Sequence, residues 1–230
     1  IDKDVRFYDK YKKKGLSDKE AAYASLIEGM DKSLGDIMDW LEKNGEADNT
    51  IVIFMSDNGG YATGNGWRDE PLYTQNFPLK CGKGSASEGG IREPMIVRWP
   101  GTVQPGTRCN DYLIIEDFYP SILEMAGIDD YDVPQEIDGI SFVPLLKQTK
   151  NPSQGRSLYW NCPNIWGEKG PGIGPSCTIR KDNWKMIYFY ETGEKELYDI
   201  PNDIEENNNV AALYLSLIHI SEPTRRTPIS

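Results

Sequence analysis

Ile51-Val52-Ile53-Phe54-Met55-Ser56-Asp57-Asn58-Gly59-Gly60 is the stretch on which the fold turns. Its apolar run is far too short to span a membrane and too continuous for a strand with one wet face. Such a run suits a strand buried on both faces, as in the parallel sheet of an α/β protein. A carboxylate and an amide follow at once, and two glycines permit a sharp exit. In open α/β sheets, functional groups gather at the carboxyl ends of strands. Asp57 and Asn58 offer hard oxygen ligands, which suit Ca²⁺ or Mg²⁺ rather than zinc. Asp, Asn and Gly are also ordinary turn formers, so the pattern alone leaves a plain strand-to-loop turn open. It does not fit the EF-hand loop.

Residues 1–16 are polar and Lys-rich and read as a connecting segment. Ser17-Asp18-Lys19-Glu20 is a capping box. Behind it, Tyr23, Leu26, Ile27, Met30, Leu34, Ile37, Met38 and Leu41 form the stripe of a long amphipathic helix, which Gly45 is placed to end. Met95-Ile96-Val97 reads as another strand. Residues 116–126 read as a second helix, with Pro120 in its first turn and Gly127 as its stop. From about residue 149 the texture changes. Arg156 to Trp160, Thr178 to Arg180, Trp184 to Tyr190 and Glu196 to Asp199 are short strand-like pieces. They predict a small antiparallel sheet over 149–215, appended to an α/β part over 1–148, with Asp203 to Tyr214 closing it as a short helix.

The chain carries 25 basic and 36 acidic residues, a net charge of −11, which argues against a nucleic-acid backbone as partner. No run is long enough for a membrane span. Its four Cys (81, 109, 162 and 177) form no C-x-x-C, and the one His, His219, lies far from all of them, so a Cys/His zinc site is excluded. The 216–230 stretch SLIHISEPTRRTPIS resembles translated sequencing-adaptor read-through and is expected to be non-native. The chain begins at Ile1, without Met, and an upstream portion is expected to be missing.

A second feature is Gly82-Lys83-Gly84-Ser85-Ala86-Ser87-Glu88-Gly89-Gly90-Ile91-Arg92. Lys83 between glycines can approach an anionic group closely and offer it three donors. It is not a Walker loop, because residue 77 is Phe. It is not G-x-G-x-x-G, because residue 87 is Ser. Taken alone, it also reads as a solvated loop.

In this order, TIVIFMSDNGG, GKGSASEGGIREPMIVRWPG, EDFYPSILEMAG and DGISFVPLL resemble the carboxyl-terminal half of the formylglycine-dependent sulfatases. The likeness runs on through IRKDNWKMIYFY and ELYDIPNDIEEN to about residue 214, and is strongest to bacterial glycan sulfatases of the arylsulfatase type. The resemblance implies an alkaline-phosphatase-like α/β fold with a small carboxyl-terminal antiparallel subdomain. It implies that Asp57 and Asn58 bind a calcium ion, that Lys83 contacts the sulfate as a catalytic and substrate-binding group, and that Glu88 and Arg92 support the loop. It further implies a sulfated small molecule or glycan as substrate, and periplasmic or secreted placement.

The formylglycine itself is made from Cys in C-x-[PA]-x-R. Cys81 is followed by GKGS, Cys109 by NDYL, Cys162 by PNIW and Cys177 by TIRK, and none fits. The nucleophile, the family's paired amino-terminal Asp ligands and its active-site His are thus expected upstream of residue 1. Tyr159-Trp160-Asn161-Cys162-Pro163-Asn164 mixes rings and amides, which suits a sugar, and Asn161 and Asn164 are candidate substrate contacts. Packing between the two subdomains explains that segment equally well. Two other readings stay open: a phosphate or phosphonate ester hydrolase on the same fold, and a calcium-dependent glycan binder that has lost its nucleophile.

Overall fold

The computed structural model describes residues 2–62, 73–128, 130–164 and 172–214. The tail from 216, His219 and the Ile165-Trp166 pair lie outside them. The segment expected to be a mere connector contains a short helix, α1 (Tyr8–Lys13). Helix α2 (Asp18–Lys43) opens on the expected capping box: the Glu20 amide donates to Ser17 Oγ at 3.3 Å, and the Ser17 amide donates to Glu20 Oε2 at 2.9 Å. Its buried line is Ala21, Ala22, Ser25, Gly29 and Leu41. Small residues allow the amino-terminal segment to lie close, with the Asp4 amide donating to Ser25 Oγ at 3.0 Å. Of the apolar stripe read from the sequence, only Leu41 is buried, while Ile27, Met30 and Ile37 are 45%, 50% and 54% exposed.

Strand β1 (Val52–Met55) pairs with β2 (Met95–Arg98), in the register Val52↔Arg98 to Met55↔Met95. The pairing is antiparallel, so β2 is not the parallel neighbour that the apolar run suits. Among the described residues β1 has β2 as its one partner, and β2 returns alongside it. The strand is half-buried, with Met55 at its exposed end. Between the two strands lies a four-residue helix, α3 (Glu88–Ile91).

Helix α4 (Phe118–Met125) follows a 3₁₀ turn at Ile115–Asp117, and Gly127 ends it in the left-handed region at φ 73°. Asp117 is fully buried. Its carboxylate accepts from the Ile114 and Ile140 amides at 3.0 and 2.9 Å and from Arg156 Nη1 at 2.7 and 2.9 Å. That cluster ties α4 both to the segment before α5 (Val143–Leu146) and to the start of the second sheet. A Cβ on Gly139 would sit 1.9 Å from the Glu116 carbonyl oxygen, so the segment passes where only glycine fits.

The second sheet is a four-stranded antiparallel meander: β3 (Ser157–Cys162), β4 (Ser176–Lys181), β5 (Trp184–Phe189) and β6 (Lys195–Asp199). Strand alternation gives it two different faces. Ile179, Met186 and Leu197 pack with Ala211 and Val210 on one. Ile187 and Tyr198, with Ile200, pack with Ala86 on the other, against the glycine-rich loop. Residues 203–214 cover the sheet edge as turns and extended chain, in place of the expected helix. No described helix is long and apolar enough to cross a membrane.

Candidate active site

Two backbone segments nest together at the end of β1. The Gly59 amide donates to the Gly90 carbonyl at 3.1 Å, and the Lys83 amide donates to the Gly60 carbonyl at 2.9 Å. A Cβ on Gly59 would lie 1.9 Å from Gly89 O, and one on Gly82 would lie 2.4 Å from Gly60 O. The glycines of S-D-N-G-G and E-G-G are thus required by close passage of main chain, not by turn flexibility alone.

This nesting sets the exit of the Asp57-Asn58 turn beside the Lys83 loop. Asp57 is exposed and Asn58 half-buried, and Ser56 Oγ braces the turn by donating to Asn58 O at 2.9 Å. Among the described residues, neither the Asp57 carboxylate nor the Lys83 ammonium has a hydrogen-bond or ion-pair partner. Glu93 lies near enough to feel Asp57: burial first, then the charges of Glu88 and Asp57, push its carboxyl above the usual range.

Lys80 contrasts with Lys83. Its ammonium donates to Tyr198 Oη at 3.0 Å and to the Glu206 carbonyl at 3.1 Å. Lys80 is a structural cation, whereas Lys83 is available to an anion. Cys81 lies between them, and burial pushes its thiol up, away from the low-pKa state a nucleophile needs.

Beneath the loop lies an ion cluster with no signature in the sequence. Lys185, fully buried, reaches Glu88 Oε1 at 3.1 Å and Glu206 Oε1 at 2.9 Å. Glu206 Oε2 also accepts the Glu88 amide at 2.7 Å. Arg92 and Arg180 approach Glu88 at 3.5 and 3.8 Å. Glu88 and Arg92 therefore meet each other, and Glu88 faces inward as an anchor of α3. Burial raises the Glu206 carboxyl above its ordinary range, against the opposing pull of Lys185. Lys185, Glu206 and Arg180 fall within the segments of the family resemblance, but no spacing rule singles them out.

The structure does not bring Asn161 to Lys83. Asn161 pairs with Cys177, and Cys177 pairs with Tyr188. Their side chains share the face opposite that of Lys185 and Ile187, because neighbours along a strand alternate. There the Asn161 amide oxygen accepts from Tyr190 Oη at 2.7 Å. Trp160 points to the loop side instead. Asn164 is exposed beyond the end of β3.

Asp57 and Asn58 suit a hard divalent cation in kind. They supply only part of a coordination shell, since no group of three or more His, Cys, Asp or Glu among the described residues could hold a metal.

The family model described as Sulfatase matches residues 2–128. The chain belongs to the sulfatase family. A second model, described as N-sulphoglucosamine sulphohydrolase, C-terminal, matches residues 83–215. A sulfatase of Formosa agariphila is 32% identical over 88% of this chain and 38% of its own length. An N-acetylglucosamine-6-O-sulfatase of Bacteroides thetaiotaomicron is 30% identical over 82% of this chain and 31% of its own. Among solved structures, Ps i-CgsB in complex with k-i-k-neocarrahexaose superposes with a TM-score of 0.74 at 30% identity, over 88% of this chain and 41% of that one. The phosphonate monoester hydrolase of Agrobacterium radiobacter superposes at 0.62 with 26% identity, over 86% of this chain and 38% of that one. The sulfatase chain thus spans 31% to 41% of the length of these relatives, and its fold is the alkaline-phosphatase-like sulfatase fold in part.

Proposed function

We propose that this sulfatase chain supplies the carboxyl-terminal part of an enzyme that hydrolyses sulfate esters on a glycan, in the periplasm or outside the cell. The observation that carries the reading is the 2.9 Å hydrogen bond from the Lys83 amide to the Gly60 carbonyl, which sets the loop that carries the Lys83 ammonium beside the exit of the turn that carries the Asp57 carboxylate. A sulfate ester needs both kinds of group. Lys83 donates to its oxygens and offsets the charge that develops on them. Asp57 and Asn58 would be two of the oxygen ligands of a calcium ion. When bound, calcium supplies positive charge at the ester, and the formylglycine of the family supplies the nucleophile. Glu88, held by Lys185, fixes the short helix behind the lysine loop.

The likeness to a phosphonate monoester hydrolase favours a second reading, in which the same half-site holds a phosphonate monoester. A restored enzyme separates the two. This chain would be joined behind the amino-terminal part of the Formosa agariphila relative and assayed with aryl sulfates and aryl phosphonates. Preferred turnover of sulfate supports the first reading, and preferred turnover of phosphonate overturns it.

A further inference from the structure

The Asn76 side chain lies where three pieces of the site meet. Its Nδ2 is 3.0 Å from Gly60 O, 3.0 Å from Cys81 O and 3.1 Å from Gly89 O. These carbonyls belong to the exit of the Asp57-Asn58 turn, the approach to Lys83, and α3. One NH₂ group carries two protons, so three acceptors at these distances share them in a bifurcated arrangement.

Each acceptor has a further tie to the site. Gly60 O also accepts the Lys83 amide at 2.9 Å. Cys81 is held in the left-handed region at φ 57°, where a residue with a Cβ does not settle unaided. Gly89 O is the atom that a Cβ on Gly59 would strike first. The contact with the turn is equally close, since a Cβ on Gly60 would fall 2.2 Å from Asn76 Oδ1.

We propose that Asn76 is a positioning residue of this half-site: its amide fixes the distance between the Asp57-Asn58 turn and Lys83. Asn76 touches neither ester nor metal. It acts through three backbone carbonyls, and no other described side chain bridges all three. The inference rests on the sulfate-ester reading for its meaning in catalysis, but its geometric content is independent of that reading.

The test has two arms. In the 230-residue chain, amide hydrogen exchange is compared among the unmodified protein, Asn76→Ala and Asn76→Asp. Asp keeps the shape and lacks the N–H donors. The expected result for both variants is exchange at least about tenfold faster at Gly59 and Lys83, with Ile179 and Ile187 in the second sheet unchanged. Equal acceleration everywhere, or none at 59 and 83, overturns the proposal. In the restored enzyme, Asn76→Asp is expected to lower kcat for an aryl sulfate by about tenfold or more with KM within about twofold, because misplacement by an ångström impairs chemistry more than binding. An unchanged kcat overturns the positioning role even if exchange is faster. A restored enzyme that turns over no sulfate ester, with the expected exchange pattern intact, overturns the functional reading and leaves the geometric one standing.

Discussion

Lys185 Nζ lies 3.1 Å from Glu88 Oε1, across a sequence separation of 97 residues, and both side chains are buried. This contact joins the second sheet to the loop that presents Lys83. The charge is shared further, with Glu206 on the other side of the ammonium at 2.9 Å. An isolated buried ammonium would be intolerable, and two carboxylates with an additional backbone donor make it tenable.

Removing the cation should therefore hurt more than replacing the cluster. Lys185→Met is expected to destabilise the fold by about 3–5 kcal/mol, because Glu206 is left buried without its cation and Glu88 keeps only the more distant Arg92 and Arg180. Combining it with Glu88→Gln and Glu206→Gln should recover a large part of that loss. Denaturant midpoints of the single and triple variants check this. A triple variant no more stable than the single one would show that the charges are not what couples these residues.

Stability should depend on pH through Glu206. Its folded-state carboxyl is raised above the ordinary 4.5, chiefly by burial, so the folded protein holds this proton more tightly than the unfolded chain. By linkage, stability falls as pH rises from that ordinary value through the raised folded one. Glu206→Gln removes this contribution. Melting temperatures recorded from about pH 4 upward should fall less steeply with pH for the variant than for the parent just above the ordinary carboxylate value.

The Asp57-Asn58 turn and Lys83 should separate experimentally. In the restored enzyme, Asp57→Ala is expected to reduce bound calcium, with activity collapsing and only partly rescued by added calcium. Lys83→Ala should leave calcium nearly intact and lower turnover by about 10²–10³, the usual effect of losing one preorganised donor to developing charge. Elemental analysis alongside kinetics reads both. Full calcium and normal turnover in Asp57→Ala would reduce Asp57 to a turn residue.

Gly59→Ala should disrupt the site without touching any polar side chain. Its new Cβ would meet Gly89 O at 1.9 Å, a backbone atom with no rotamer to yield. A loss of about 1–3 kcal/mol is expected, with faster exchange at Gly59 and Gly89 first. Gly45→Ala, where nothing lies within 4 Å but φ is +72°, controls for backbone strain alone.

The 230-residue chain on its own is expected to hydrolyse no sulfate ester, since no Cys in it stands in C-x-[PA]-x-R. Aryl sulfate turnover at enzymatic rates by the purified chain would contradict this.

By itself the sequence determined the local chemistry. Ser17 and Glu20 form their capping box because both partners lie within one turn, and Gly127 stops α4 for a similarly local reason. The four short strands of the second sheet were legible from alternation and punctuation, and the Asp57-Asn58 turn and Lys83 loop from their residue order. Tertiary structure decided what depends on partners distant in the chain. The stripe on α2 specifies an apolar face but not its cover, and Met30 and Ile37 remain half-exposed among the described residues. The run at Ile51–Met55 states a preference for burial but not the direction of its neighbour, and β2 proved antiparallel. Asn161 reads from the sequence as a candidate sugar contact, but the sequence does not say which sheet face it takes, and strand alternation sets it opposite Lys185 and Ile187. Lys185, Glu206 and Asn76 carry no periodic or spacing signal, because their roles come from hydrogen bonds and ion pairs closed only when segments far apart in sequence are packed together.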